Sequence, residues 1–140
     1  MTLRLVVEAA PSEAERGSVR DRLDAANMAV TGRRDWFPVT VLLRDDSGAI
    51  RGGGLGNAWA SWLHVDVLWV DDDCRGRGWG ARLLEAMEDQ ARVRGCTHAH
   101  LDTFSFQAGP RFYERLGYRV FGVLPDHPPG HTHYFLSRRL

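Results

Sequence analysis

The densest chemistry in this 140-residue chain lies between residues 71 and 82, where Asp71-Asp72-Asp73-Cys74 leads into Arg75-Gly76-Arg77-Gly78-Trp79-Gly80-Ala81-Arg82. Glycines at 76, 78 and 80 allow successive backbone N–H groups to point into one concavity, and the apolar periodicity that begins at Leu83 makes that concavity the N-terminus of a helix. The helix dipole adds positive potential there, and Arg75, Arg77 and Arg82 add positive charge around the same point. A diphosphate is the natural guest, the plain alternative being a tight turn. All 18 basic residues are arginine, with no lysine in the chain. Lysine-dependent phosphate loops and Schiff-base chemistry are thereby excluded, while a phosphate site of amides and guanidinium groups is not. Genome composition is the commoner cause of such a bias.

A second set of titratable residues sits on extended segments. His64 and Asp66 occupy even positions of SWLHVDVLWV (61–70), and His98, His100 and Asp102 occupy even positions of a later segment. His127, His131 and His133 gather with Asp126 near the C-terminus, at a spacing that matches no zinc pattern, so no metal is expected. Cys74 has no evident base beside it and is not read as a nucleophile.

These residues need elements to position them. Leu3, Leu5 and Val7 alternate as in a half-buried strand. Ser12 and Glu15 form a capping box for a helix whose apolar positions are Val19, Leu23, Ala26 and Val30, with Gly32 as its stop. Residues 37–58 predict a hairpin turning at Asp45-Asp46-Ser47-Gly48. The run Gly52-Gly53-Gly54-Leu55-Gly56 in its return strand marks a bulge or a close approach of another group. In 61–70 the odd positions Leu63, Val65, Val67 and Trp69 are apolar and predict one core-facing side. Leu83, Leu84, Met87 and Ala91 give a helix stopped at Gly95, and 98–104 gives the next strand. Strand, helix and strand make a βαβ unit with parallel strands. A short helix between Pro110 and Gly117, a strand over 118–124 and a closing strand over 131–140 complete one expected domain, 1–140.

The balance of 18 basic and 18 acidic residues offers no footprint for nucleic acid or an anionic membrane. Two cysteines make no disulfide framework, and the N-terminus lacks a signal-peptide pattern, so a cytoplasmic protein is the expectation. For oligomeric state the base rate favours a homodimer.

Two phosphate-binding patterns compete for the glycine loop. Gly76, Gly78 and Ala81 fit G-x-G-x-x-A, with Asp102 about 20 residues beyond, as in a dinucleotide-binding unit. Against it, the acidic corner separates strand from glycine, and the unit follows a hairpin instead of opening a βαβ series. The second pattern is Q/R-x-x-G-x-G/A, filled by Arg75, Gly78 and Gly80. It follows the apolar-x-Val strand end Leu68-Trp69-Val70 and precedes Phe112-Tyr113-Glu114-Arg115-Leu116-Gly117-Tyr118, an F-Y-x-x-x-G-Y element. In these three elements, and in their order, the chain resembles the GNAT superfamily of acyl-CoA-dependent N-acyltransferases.

The resemblance implies an α/β (α+β) fold, with a mixed, mostly antiparallel sheet around one central parallel pair. It implies acetyl-CoA as co-substrate, held by Arg75, Gly76, Arg77, Gly78, Trp79, Gly80 and Ala81, with the thioester carbonyl near the N–H of Leu68 or Val70. It implies Tyr113 as the acid for the departing thiolate, a reasonable role for a phenol that keeps its proton at neutral pH. The base would be Asp66 with His64, the carboxylate orienting the imidazole, with Asp102 and His100 second. The expected activity is N-acetylation of an amine on a small molecule or peptide. A non-catalytic acyl-CoA sensor and a dinucleotide oxidoreductase stay open as alternatives.

Overall fold

The computed structural model describes all 140 residues, in two compact units, 1–34 and 35–140. In the first, helix α1 (Glu13–Thr31) starts at the expected capping box. Ser12 N–H donates to Glu15 Oε2 at 2.7 Å and Glu15 N–H donates to Ser12 Oγ at 3.1 Å. Gly32 closes it in the left-handed conformation, φ 64°. Residues 1–8 form no strand, against the alternation of Leu3, Leu5 and Val7. Alternation makes a strand only where another strand accepts its backbone hydrogen bonds, and every paired strand of this protein lies in the second unit.

The second unit carries β1 (Phe37–Arg44), β2 (Ile50–Trp59), β3 (Trp62–Val70), α2 (Trp79–Val93), β4 (His98–Phe104), α3 (Gly109–Glu114), β5 (Arg119–Pro125) and β6 (Thr132–Arg139). The sheet order is β1-β2-β3-β4-β6-β5, and β3–β4 is its one parallel pair. This is the expected mixed, mostly antiparallel architecture. The β1–β2 turn is set by Asp45, whose Oδ1 accepts the N–H groups of Ser47 and Ala49 at 2.9 and 3.0 Å.

One face of the sheet carries the core. Leu63 pairs with Ala99, Val65 with Leu101 and Leu101 with Leu136, and all five side chains are buried. Helix α2 covers this face with Leu83, Leu84, Met87 and Ala91, the predicted periodic set. The opposite face carries Trp62 and His64 of β3, His98, His100, Asp102 and Phe104 of β4, and His133 and Phe135 of β6, by strand alternation and register.

The predicted core face of β3 holds only to Val65. Gly56 pairs with Val65 and Leu55 with Val67, so Asp66 is an extra residue opposite no partner, a β-bulge. Beyond it the alternation inverts. Val67 and Trp69 are exposed, while Leu68 packs against the core.

The glycine run of β2 is explained by the same region. A Cβ on Gly54 would collide with Met87 Sδ, and one on Gly56 would collide with the His64 carbonyl oxygen. Helix α2 therefore lies close on the sheet because β2 has no side chains there, and the β2–β3 ladder closes up at the bulge. Both readings of the run, bulge and close approach, are correct.

Glu88 of α2 is a buried carboxylate that ties the far end of the sheet to the helix. It pairs with Arg138 of β6 at 3.2 Å and Arg92 at 3.4 Å, and Arg138 also donates to the Leu116 carbonyl at 2.7 Å. Burial pushes the Glu88 carboxyl up from its ordinary pKa, and the two guanidinium groups pull against that.

The glycine geometry sets an order of stabilities. Gly56→Ala must move backbone and should destabilise by about 1–3 kcal/mol, whereas Gly54→Ala meets the end of a flexible methionine and should cost less. Urea unfolding of both variants checks this; equal midpoints for Gly56→Ala and wild type would refute the close-approach account.

Candidate active site

The residues following β3 build an amide-lined loop. A short 3-10 turn, Asp72–Cys74, lifts the chain off the strand, and Gly76 and Gly78 take left-handed φ values of 74° and 81° that only glycine adopts without strain. Gly78 is the N-cap of α2. The backbone N–H groups from Gly76 to Ala81 find no acceptor in the protein, while Arg82 N–H is the first to bond back, to Gly78 O at 3.1 Å. Around Gly76 and Gly78 a Cβ would meet nothing within 4 Å, so the concavity is open. Unpaired amides at the positive end of a 15-residue helix, with room in front of them, suit a diphosphate.

Arg75 is used differently from the other loop residues. Its Nε donates to the Val70 carbonyl at 2.8 Å, its Nη1 pairs with Asp72 at 2.9 Å, and its guanidinium lies 4.5 Å from the Trp69 ring centroid. This side chain braces the loop against the end of β3. Across the bend, Arg51 of β2 pairs with Asp71 at 3.3 Å and with Asp73, fixing the acidic corner from the other side. Arg82 lies over the Trp79 ring at 4.2 Å.

The second feature is a gap in the sheet. The parallel ladder pairs Trp62–Val65 with His98–Leu101 and stops there, although β3 runs on to Val70 and β4 to Phe104. The next residues on the two strands are Asp66, at the bulge, and Asp102. Leu68 and Val70, the expected neighbours of a thioester, lie on the part of β3 that pairs with β2 and no longer with β4. The amide loop stands at one end of α2, on the core face of this gap, and the histidine-rich face lies on the other side.

Tyr113 lies in the core cluster, within electrostatic reach of Asp102. It is 7% exposed, with the ring of Phe112 at 4.9 Å and that of Tyr118 at 6.0 Å. Phe112 in turn rests on Gly80 of the loop, where a Cβ would come within 3.2 Å of its ring. The third loop glycine thus seats the helix that carries Tyr113. Burial first, and the charge of Asp102 second, push the Tyr113 hydroxyl up to about 12. It holds its proton throughout the neutral range.

The expected pairing of His64 with Asp66 is not what the structure assembles. His64 stacks on His100 with ring centroids 4.6 Å apart, and Asp66 makes no hydrogen bond or ion pair. The two imidazoles line a cavity of about 340 Å³ with Trp59, Trp62 and Asn57, beside the still-paired part of the parallel ladder. Asp102, the second-ranked candidate, is the better connected carboxylate. Its Oδ2 lies 2.7 Å from His133 Nε2, and His133 Nδ1 lies 3.1 Å from His127 Nδ1. Sequence spacing could not reveal this chain, because it joins residues 31 apart through the β4–β6 register. The imidazole pattern on β4 and near the C-terminus was its only trace.

Comparison with known proteins bears on the whole arrangement. A family model described as an acetyltransferase (GNAT) domain matches residues 38–120. Blasticidin-S acetyltransferase of Streptomyces morookaense is 45% identical over 96 residues, which cover 68% of this chain and 70% of that protein. Acetyltransferase Atu2258 of Agrobacterium fabrum is 36% identical over 132 residues, covering 94% and 95%. The crystal structure of an acetyltransferase from Bacillus cereus superposes with a TM-score of 0.88 at 35% identity, covering 96% of this chain and 98% of that one. No helix of this protein is long and apolar enough to cross a membrane.

The His64–His100 stack carries a pH signature. The pKa of His100 is lowered from its ordinary 6.5, by burial first and by the neighbouring His64 second, with Asp102 opposing. A histidine whose folded pKa is depressed contributes stability that is present above 6.5 and is lost as pH falls through the lowered value. Thermal midpoints should therefore drop between pH 7 and pH 5, and drop less in His100→Gln. Parallel curves for the two proteins would remove His100 from this effect.

Proposed function

The chain belongs to the GNAT acetyltransferase family, and from that premise we propose that it transfers an acetyl group from acetyl-CoA directly to the amine of a small molecule or peptide. The observation that carries the proposal is the gap between β3 and β4, with unpaired amides on one face and titratable side chains on the other. A thioester and an amine approaching from opposite faces can meet only there.

Each group has one task. The N–H groups of Gly76 to Ala81 hold the diphosphate of the coenzyme. The pantetheine arm runs along β3, and the N–H of Leu68 or Val70 polarises the thioester carbonyl, lowering the barrier to attack. Arg75 serves by holding the loop, through Val70 and Asp72, and not as a phosphate ligand. Tyr113 gives its proton to the departing sulfur, a task that needs a group still protonated at neutral pH. An amine of ordinary pKa near 10 arrives mostly as ammonium and must lose a proton before it can attack.

The likeness to blasticidin-S acetyltransferase supports amine acylation and makes blasticidin S the first acceptor to try, followed by spermidine and a peptide with a free α-amine. Thiol release from acetyl-CoA should appear with at least one of them. Gly78→Val forces a branched side chain into φ 81° and should weaken acetyl-CoA binding about tenfold or more by calorimetry. Tyr113→Phe should cut kcat about 100-fold while leaving that affinity nearly unchanged. An intact kcat would remove Tyr113 from the reaction, and an absence of acetyl-CoA binding by the wild type would end the proposal.

A further inference from the structure

We infer that His127 is the base that takes the acceptor's proton, oriented by His133, which is itself fixed by Asp102; the inference rests on the function proposed above. Three side chains from β4, β6 and the loop between β5 and β6 form a line: Asp102 Oδ2 to His133 Nε2 at 2.7 Å, and His133 Nδ1 to His127 Nδ1 at 3.1 Å. His133 is 6% exposed and clamped between the rings of Phe104, at 4.2 Å, and Phe135, at 4.4 Å. His127 is exposed, and it sits edge-on to Phe104, the last residue of β4, at 5.8 Å. The parallel ladder has already ended at Leu101, so this end of β4 borders the gap.

The tautomers follow from the partners. An ionised carboxylate can only accept, so His133 carries its proton on Nε2, and its Nδ1 presents a lone pair. His127 must then donate from Nδ1, which leaves its Nε2 as a free lone pair on the exposed side of the ring. This is the arrangement that orients a general base: a fixed N–H on one nitrogen and an unshared pair on the other. Positive charge arriving on His127 is compensated along the chain by Asp102. His64 has no equivalent support, since it stacks on the His100 ring without a hydrogen bond and Asp66 makes none either.

The charged and titratable groups around this chain are few. His133 faces Asp102 from β4 and His127 from the loop; the charge of Asp102 also acts on Tyr113 of α3 and on His100 of β4, which stacks on His64 of β3. Asp126, next to His127, is occupied with the Gly130 N–H at 3.4 Å, and His131 lies against Phe106 at 4.9 Å.

The protons balance as follows. The acceptor's ammonium gives one proton to His127 Nε2, and the freed nitrogen bonds to the thioester carbon as the C–S bond breaks. Tyr113 protonates the sulfur and recovers the second nitrogen proton, and the imidazolium releases its proton to solvent. His127 is the catalytic residue; His133 and Asp102 are positioning residues.

The test has two arms. In the first, kcat/KM is measured with whichever of blasticidin S, spermidine or the peptide the wild type acetylates. His127→Gln should lose about 100-fold at pH 7 and progressively less as pH approaches the ordinary amine range, with acetyl-CoA affinity unchanged. Free imidazole should restore part of the His127→Gly rate, and His131→Gln should behave as wild type. A loss that is equal at all pH values and not rescued, or no loss, overturns the inference. The second arm needs no turnover. Nitrogen-15 spectra of the neutral rings should show His127 protonated on Nδ1 and His133 on Nε2, with Nε2 protonation of His127 appearing in His133→Ala. A wild-type His127 protonated on Nε2 refutes the inference whether or not any amine is acetylated. Failure of every acceptor in the first arm, with the expected tautomers in the second, instead counts against the proposed function.

Discussion

The parallel ladder between β3 and β4 ends after Val65 and Leu101, and the candidate site is built around that end. The physical cause lies one strand away. Asp66 is inserted without a partner opposite β2, and a bulge bends its strand and increases the local twist. Past the bulge β3 keeps its ladder with β2 and has none with β4, so its last four residues have one ladder and not two. Backbone groups on that side of β3 are left available in a region where most backbone is paired. The bulge also inverts the alternation, so that Leu68 turns to the core and Val67 and Trp69 turn away from it.

Helix α2 serves two requirements that have to be compatible. Leu84, Met87 and Ala91 must bury themselves on the sheet, and the N-terminus of the helix must stand beside the gap. The glycines of β2 reconcile them by removing side chains under Met87, so that the helix comes close to the sheet at the level of the bulge. At the other end of the site Gly80 admits the ring of Phe112, and the helix carrying Tyr113 is seated by the loop it works beside. Amide loop, gap and Tyr113 are thus positioned by the same few close contacts. A change in any of those glycines acts on stability and geometry together.

Much of this could be read from the residues alone, and the failures are informative. The loop was legible because closely spaced glycines before a helical pattern have few other uses, and the one parallel pair followed from the βαβ unit. The bulge at Asp66 was not, because apolar residues continue at 67 and 69 and give the unbroken period of a regular strand. Only the glycines opposite hinted at it. The strand expected at 3–7 failed for the complementary reason: alternation reports what a segment could bury, not whether a partner strand is present. The Asp102–His133–His127 line was invisible in principle, since the register of β4 against β6 decides which of several histidines meets the carboxylate.

The arginine-only composition has a structural side that the count does not convey. Arg75 donates to a carbonyl, pairs with Asp72 and covers Trp69 at once; Arg138 joins Glu88 to the Leu116 carbonyl; Arg82 and Arg94 lie over Trp79 and Phe37. A planar fork can satisfy several acceptors and stack in one position, which a compact ammonium cannot do. With lysine absent, these sites are committed to guanidinium geometry. Arg75 is the clearest case, because its Nε bond to Val70 fixes the end of β3 and its stacking holds Trp69 outward, on the side to which the bulge has already turned it. Charge around the glycine loop is therefore largely spent on holding the loop's shape, and in the proposed function the affinity for phosphate would fall to the backbone amides and the helix that presents them.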